Sequence, residues 1–137
     1  MGIMHEITIL EPEIRERIRY ILDNSVESGI VNLQLMGLTD VPRQLMKCTH
    51  IKRLQLDYNN HLKLESGFGP ELQGLKHLSI KSCRIPFLPD NIKNLKRLVH
   101  LNLEENMLQS LPNTISTLRS LQVLGITLCK FPSLFYL

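Results

Sequence analysis

The chain has 137 residues, 43% hydrophobic and 21% charged, a balance that fits one globular domain and excludes a disordered or membrane-embedded chain. Its 16 basic and 13 acidic residues leave a net charge of +3, too small an excess to argue for nucleic acid as a partner. No apolar run approaches the ~18 residues that a membrane span needs. The opening segment, MGIMHEITILEPEIRER, lacks the basic-then-apolar order of a secretory signal. Gly2 is followed by Glu6 where a myristoylation signal carries Ser or Thr, so neither export nor lipidation is expected. Cys48, Cys83 and Cys129 are spaced too widely for a C-x-x-C metal site or a disulfide framework. A reducing, cytoplasmic setting is the expectation.

Residues 1–10 suit either a short edge strand or an ordered arm, with Ile7, Ile9 and Leu10 as its apolar positions. From Pro12 the period becomes helical. Ile14, Ile18, Ile21, Leu22 and Val26 form one apolar stripe, and Glu13, Arg15, Glu16, Arg17 and Arg19 take the other face. Pro12 suits the first turn and Gly29 the C′ position, which predicts a helix ending where the next unit begins. Residues 1–29 are therefore read as an arm and an amphipathic helix that closes the open end of whatever follows. The mixture of Glu and Arg on its polar face argues against a membrane-surface role.

The stretch Leu98–Leu121 sets the rest. Leucines fall at 98, 101, 103, 108 and 111 with Asn106 between them, followed by Pro112, Ile115, Leu118 and Leu121. The same slots recur 23 residues earlier as Leu75, Leu78, Ile80, Cys83, Ile85, Leu88, Pro89, Ile92 and Leu95. A fixed period of this size marks a repeat architecture. Units start at Ile30, Ile51, Leu75, Leu98 and Leu121. The first places Ile30, Leu33, Leu35 and Leu38 inward and is two residues short in its turn. The second carries one extra residue near Asn60. The fifth, with Leu121, Leu124, Ile126, Cys129, Phe131 and Leu134, is truncated. Single units bury too few apolar side chains to offset their ordering entropy, so they fold only when stacked.

The pattern L-x-x-L-x-L-x-x-N-x-L followed by L-P-x-x-I-x-x-L resembles the leucine-rich repeat. Its 23-residue form is similar to intracellular Ras-group and Scribble-like repeats, and to those of plant immune receptors and bacterial effectors. The resemblance covers residues 30–134. It implies an α/β solenoid, a short right-handed horseshoe with a parallel sheet on the concave side. It also implies that the Asn slot, occupied by Leu38, Asn59, Cys83, Asn106 and Cys129, bonds backbone groups of the neighbouring turn. Cys83 and Cys129 are small enough to take that slot, and Cys48 fills an apolar position on the return side.

Strand positions between the inward leucines face outward. Read in columns they give Asn32, Arg53, His77, His100 and Val123, then Gln34, Gln55, Ser79, Asn102 and Gly125. Next come Met36, Asp57, Lys81, Glu104 and Thr127, and last Gly37, Tyr58, Ser82, Glu105 and Leu128. The resemblance implies that this face binds a partner protein, through Arg53, Gln55, Asp57, Tyr58, His77, Ser79, Lys81, His100, Asn102, Glu104 and Glu105. Arg and Tyr are types enriched at binding hot spots. His77 and His100 lie on adjacent strands, but a metal site needs three or four ligands and no third is evident. Glu104 and Glu105 diverge as sequence neighbours, and no nucleophile, zinc or phosphate-loop motif is present. No enzymatic activity and no cofactor are expected. Lys93, Lys96 and Arg97 read as a solvated cluster on the return side. The last unit turns Val123 and Leu128 outward and ends in Phe135 and Leu137, a candidate self-association end. The function expected is a non-enzymatic protein-interaction module. The alternatives are a self-associating scaffold and a recognition domain for a separate enzyme, such as a ubiquitin ligase or a kinase-signalling complex.

Overall fold

The computed structural model describes residues 11–65 and 67–131. Helix α1 spans Pro12–Asp23. Five three-residue strands follow: β1 (Ile30–Asn32), β2 (Arg53–Gln55), β3 (His77–Ser79), β4 (His100–Asn102) and β5 (Val123–Gly125). They pair in parallel, in chain order, as one sheet. Short 3-10 turns at Arg43–Lys47, Pro70–Leu72, Asp90–Asn94 and Asn113–Thr117 carry the chain back along the other side. Proline stands immediately before or at the start of each of these turns, where its fixed φ suits the bend and its missing N–H costs nothing.

The sheet is held in one frame by a repeated carbonyl bridge. The carbonyl of Gly29 accepts the N–H groups of Lys52 and Arg53; that of Lys52 accepts Lys76 and His77; that of Lys76 accepts Val99 and His100; that of Val99 accepts Gln122 and Val123. Equivalent positions are therefore 29, 52, 76, 99 and 122, at spacings of 23, 24, 23 and 23. Val31, Leu54, Leu78, Leu101 and Leu124 align as the central inward column. Leu33, Leu56, Ile80 and Leu103 form the next, fully buried, inward column. The core runs unbroken from Ile18 of α1 to Phe131.

This frame corrects the reading of the first unit. Ile30, not Asn32, lies beside Arg53, and Val31, not Leu33, lies beside Leu54. Leu35, expected in the core, is 70% exposed. Met36, not Leu38, occupies the Asn slot. The unit is not short. Its apolar residues at 30, 31, 33, 35, 36 and 38 satisfy the pattern in two frames, and contacts from the next unit select one. Asn59 Oδ1 accepts from the N–H groups of Met36 (3.1 Å) and Leu38 (3.0 Å), while its Nδ2 donates to the carbonyls of Leu33 (3.1 Å) and Leu56 (2.7 Å). Asn106 repeats this one unit on. Cys83 fills the slot with its thiol, Sγ reaching the Leu56 carbonyl at 3.2 Å and the Lys81 carbonyl at 3.4 Å, and Cys129 Sγ donates likewise toward Leu103. Burial pushes the Cys83 thiol up to about 11. The extra residue of the second unit sits between Asn59 and Leu62, where Leu62 N–H bonds the Asn59 carbonyl within the turn.

Helix α1 is shorter than its apolar stripe implies. It stops at Asp23, and Val26 is exposed. Ser25 ends it: its hydroxyl donates back to the Leu22 carbonyl at 2.7 Å and meets His50 Nε2 at 2.8 Å, a local alternative to further helix. Gly29 is accordingly not a helix C′ residue but the turn into β1. It has φ +71°, and a Cβ there would lie 3.0 Å from the His50 carbonyl oxygen. Ile18 and Leu22 of α1 are buried, and the helix packs on β1 and on the Arg43–Lys47 turn. At the other end Leu121, Leu124, Ile126 and Cys129 are only half-buried, because no further strand lies against β5 among the described residues. The arm at Ile7, Ile9 and Leu10, and Phe135 and Leu137, lie outside the described residues.

Candidate functional site: the outward face of the sheet

Each strand contributes two outward side chains, at its first and third residues. The first row is Ile30, Arg53, His77, His100 and Val123, and the second is Asn32, Gln55, Ser79, Asn102 and Gly125. Arg53, Gln55, His77, Ser79, His100, Asn102, Glu104 and Val123 line one open groove of about 580 Å³. Seven of the eleven contact residues expected from the sequence thus come together, beside Val123 of the self-association set; Asp57, Tyr58, Lys81 and Glu105 do not line it.

The reasons differ residue by residue. Asp57 is only 5% exposed. Its Oδ1 accepts from the Ser79 hydroxyl (2.6 Å) and the Lys81 N–H (2.8 Å), and its Oδ2 from Gln55 Nε2 (3.1 Å). Asp57 is therefore a buried brace between β2 and β3. Ser79 shares that role. Tyr58 stands on a rim formed by Leu35, Tyr58, Ser82, Glu105 and Leu128, all with φ between +55° and +61°. Left-handed backbone costs a side-chain-bearing residue roughly 1–2 kcal/mol, and it swings these side chains past the edge of the groove. Glu105 accepts from the Ser82 hydroxyl and lies 3.8 Å from Lys81 Nζ, so rim and third row are tied to each other.

The centre of the groove is a stacked pair. The rings of His77 and His100 face each other with centroids 4.5 Å apart and planes 15° from parallel. Partial burial, then the neighbouring charges of Arg53, His100 and Lys76, hold His77 below the usual histidine range. Nδ1 of His100 is buried without a protein partner. Near-parallel rings direct their in-plane lone pairs side by side and not toward one ion, and no cluster of three His, Cys, Asp or Glu ligands occurs among the described residues. Gly125 closes the groove at β5; a Cβ there would sit 3.2 Å from Asn102 Oδ1. Lys52 and Lys76, absent from the sequence-based list, flank the start of β2 and β3 at the carbonyl-bridge positions; their alignment one residue before the strands is the signal that would have found them.

The self-association candidates split. Val123 (49% exposed) and Leu128 (73% exposed) are outward apolar residues of the last unit. Lys93, Lys96 and Arg97 are exposed on the return side. Among the described residues no helix is long and apolar enough to cross a membrane.

No family model matches the chain. Among solved structures it is similar to a leucine-rich repeat protein of Leptospira interrogans, at 25% identity and a TM-score of 0.57, over 83% of this chain and 35% of that one. The chain spans about a third of that protein's length. Five parallel strands in sequential order, an Asn-bonded interior and this likeness together show the fold to be a leucine-rich repeat solenoid.

Proposed function

We propose that the chain is a non-enzymatic recognition module that holds a partner protein against the outward face of its sheet. One contrast carries this reading. The third-row and rim groups Asp57, Lys81, Ser82 and Glu105 are bonded to one another, whereas Arg53 is exposed and in no ion pair among the described residues. The groove thus presents a charged group that the fold does not use. In this reading α1 is the cap of the first unit, and no residue performs chemistry. The free state of all three thiols suits a cytoplasmic setting.

The test is capture of partner from source lysate, repeated with two double variants. Arg53→Glu with Asn102→Arg alters the groove, and Lys93→Glu with Lys96→Glu alters the return side. Loss of the captured band with the first pair alone is expected. Equal retention by both pairs would refute the reading.

A second reading rests on the last unit, whose core positions stay half-buried while Val123 and Leu128 face outward. Here the chain is a scaffold that self-associates end to end. Sedimentation tests it: wild type forms dimers that Leu128→Glu with Val123→Glu dissolves. An adaptor for a separate enzyme, such as a ubiquitin ligase, is the same recognition module with a different consequence.

A further inference from the structure

The groove and the strand starts beside it are polarised. At the upstream end of the strands Lys52, Arg53, Lys76 and His77 occupy two adjacent registers, and His100 continues the row on β4. Among the described residues the ion pairs are Arg19–Glu16 and Lys81–Glu105, so Lys52, Arg53 and Lys76 have no acidic partner there. At the downstream end the charges are Glu104, lining the groove, and Glu105 beside Lys81.

We propose that the upstream end receives a carboxylate from an acidic segment of the partner protein, and that His77, stacked on His100, takes up a proton as it seats. This rests on the recognition reading above. Two imidazoles 4.5 Å apart resist carrying charge together. The groups around the pair reinforce this: Arg53 of β2 and Lys76, just before β3, are cationic, Val123 of β5 is neutral, and Glu104 is the acidic residue lining the groove. Burial and these cations keep the free His77 below its usual range. A carboxylate placed between Arg53 and the stack reverses the local sign and raises the histidine's affinity for a proton.

The linkage then has one direction. The bound state has the higher histidine pKa, so the gain is complete below the free-state value, which lies under the ordinary 6.5. It is lost as pH rises through the bound-state value. Capture therefore tightens with acidification across the range where histidine titrates. Glu104 orients the segment, with acid upstream and a cation or N–H group downstream. A nucleic-acid strand fits less well. Its phosphates would meet Glu104, and no Phe, Tyr or Trp lines the groove to stack a base.

The probe is a fluorescein-labelled peptide of alternating Glu and Ser, titrated by anisotropy at about pH 8, 7 and 6. Matched Gln–Ser and Lys–Ser peptides and an oligouridylate are the comparisons. The Glu–Ser peptide is expected to bind about three- to tenfold tighter at the lowest pH than at the highest. Arg53→Glu removes binding throughout. His77→Gln with His100→Gln keeps the high-pH affinity and flattens the pH dependence. Gln–Ser, Lys–Ser or oligouridylate binding as tightly as Glu–Ser would overturn the proposal, as would an unchanged pH slope in the double Gln variant. Partner capture separates this from the wider reading. If Glu–Ser fails to bind while Arg53→Glu still removes the captured partner, the acidic segment is wrong and the recognition face stands. If capture survives Arg53→Glu, both fall.

Discussion

Replacing Asn106 with Ala removes one of the two most heavily hydrogen-bonded side chains of the interior, the other being Asn59. Asn106 is 2% exposed. Its Oδ1 accepts from the Cys83 and Ile85 N–H groups, each at 3.0 Å, and its Nδ2 donates to the carbonyls of Ile80 (2.7 Å) and Leu103 (2.9 Å). Alanine leaves two buried N–H groups without an acceptor, and each such group costs about 1–3 kcal/mol. The carbonyls lose less, since each keeps a second lone pair. The expected loss is about 3–5 kcal/mol, a large share of the roughly 5–15 kcal/mol by which domains are stable. Asn106→Cys should cost about half as much, because a thiol can donate to one carbonyl, as Cys83 does, but supplies only a weak acceptor. The assay is urea unfolding followed by circular dichroism. The midpoint should fall in the order wild type, Cys, Ala, without a change of slope. An Ala variant within about 1 kcal/mol of wild type would refute the claim that this side chain links one unit to the next.

Leu35→Asn should raise the melting temperature, with a gain of about 1 kcal/mol, because Leu35 is held at φ +55° while 70% exposed and Asn tolerates that backbone better; a fall would show that Leu35 makes contacts that outweigh the strain. Asp57→Ala should destabilise by about 2–4 kcal/mol through its Ser79, Lys81 and Gln55 bonds, as expected for a buried hydrogen-bonded charge; intact stability with lost partner capture would restore Asp57 to the contact surface. Cys83, raised to about 11, should stay almost wholly protonated and inert to a thiol reagent near pH 8. Cys48, raised more modestly by burial and by Asp23, should be modified sooner, and the order is read by mass spectrometry. Rapid native labelling of Cys83 would contradict its burial.

The units around residues 75–121 were legible because two neighbouring turns agree slot by slot, and their strands, prolines and Asn106 stand as that agreement implies. The first unit was not. Ile30, Val31, Leu33, Leu35 and Met36 offer two equally apolar frames, and the deciding group, Asn59, belongs to the following unit. The stripe of α1 ran on to Val26 because periodicity cannot register that the Ser25 hydroxyl has a better use in bonding the Leu22 carbonyl. Alternation correctly turned Arg53, His77 and His100 outward. It also turned Asp57 outward, where three donors on Gln55, Ser79 and Lys81 converge on it. That convergence is a property of two adjacent strands and is written in neither one alone.

The carbonyl bridges at Gly29, Lys52, Lys76 and Val99 keep the inner wall in step even though one circuit of the chain is a residue longer than its neighbours. The surplus is absorbed between Asn59 and Leu62, outside the pleated strip. Girth and inner surface are thereby decoupled: the outer arc can take up an extra residue while the outward side chains of the strands hold their columns.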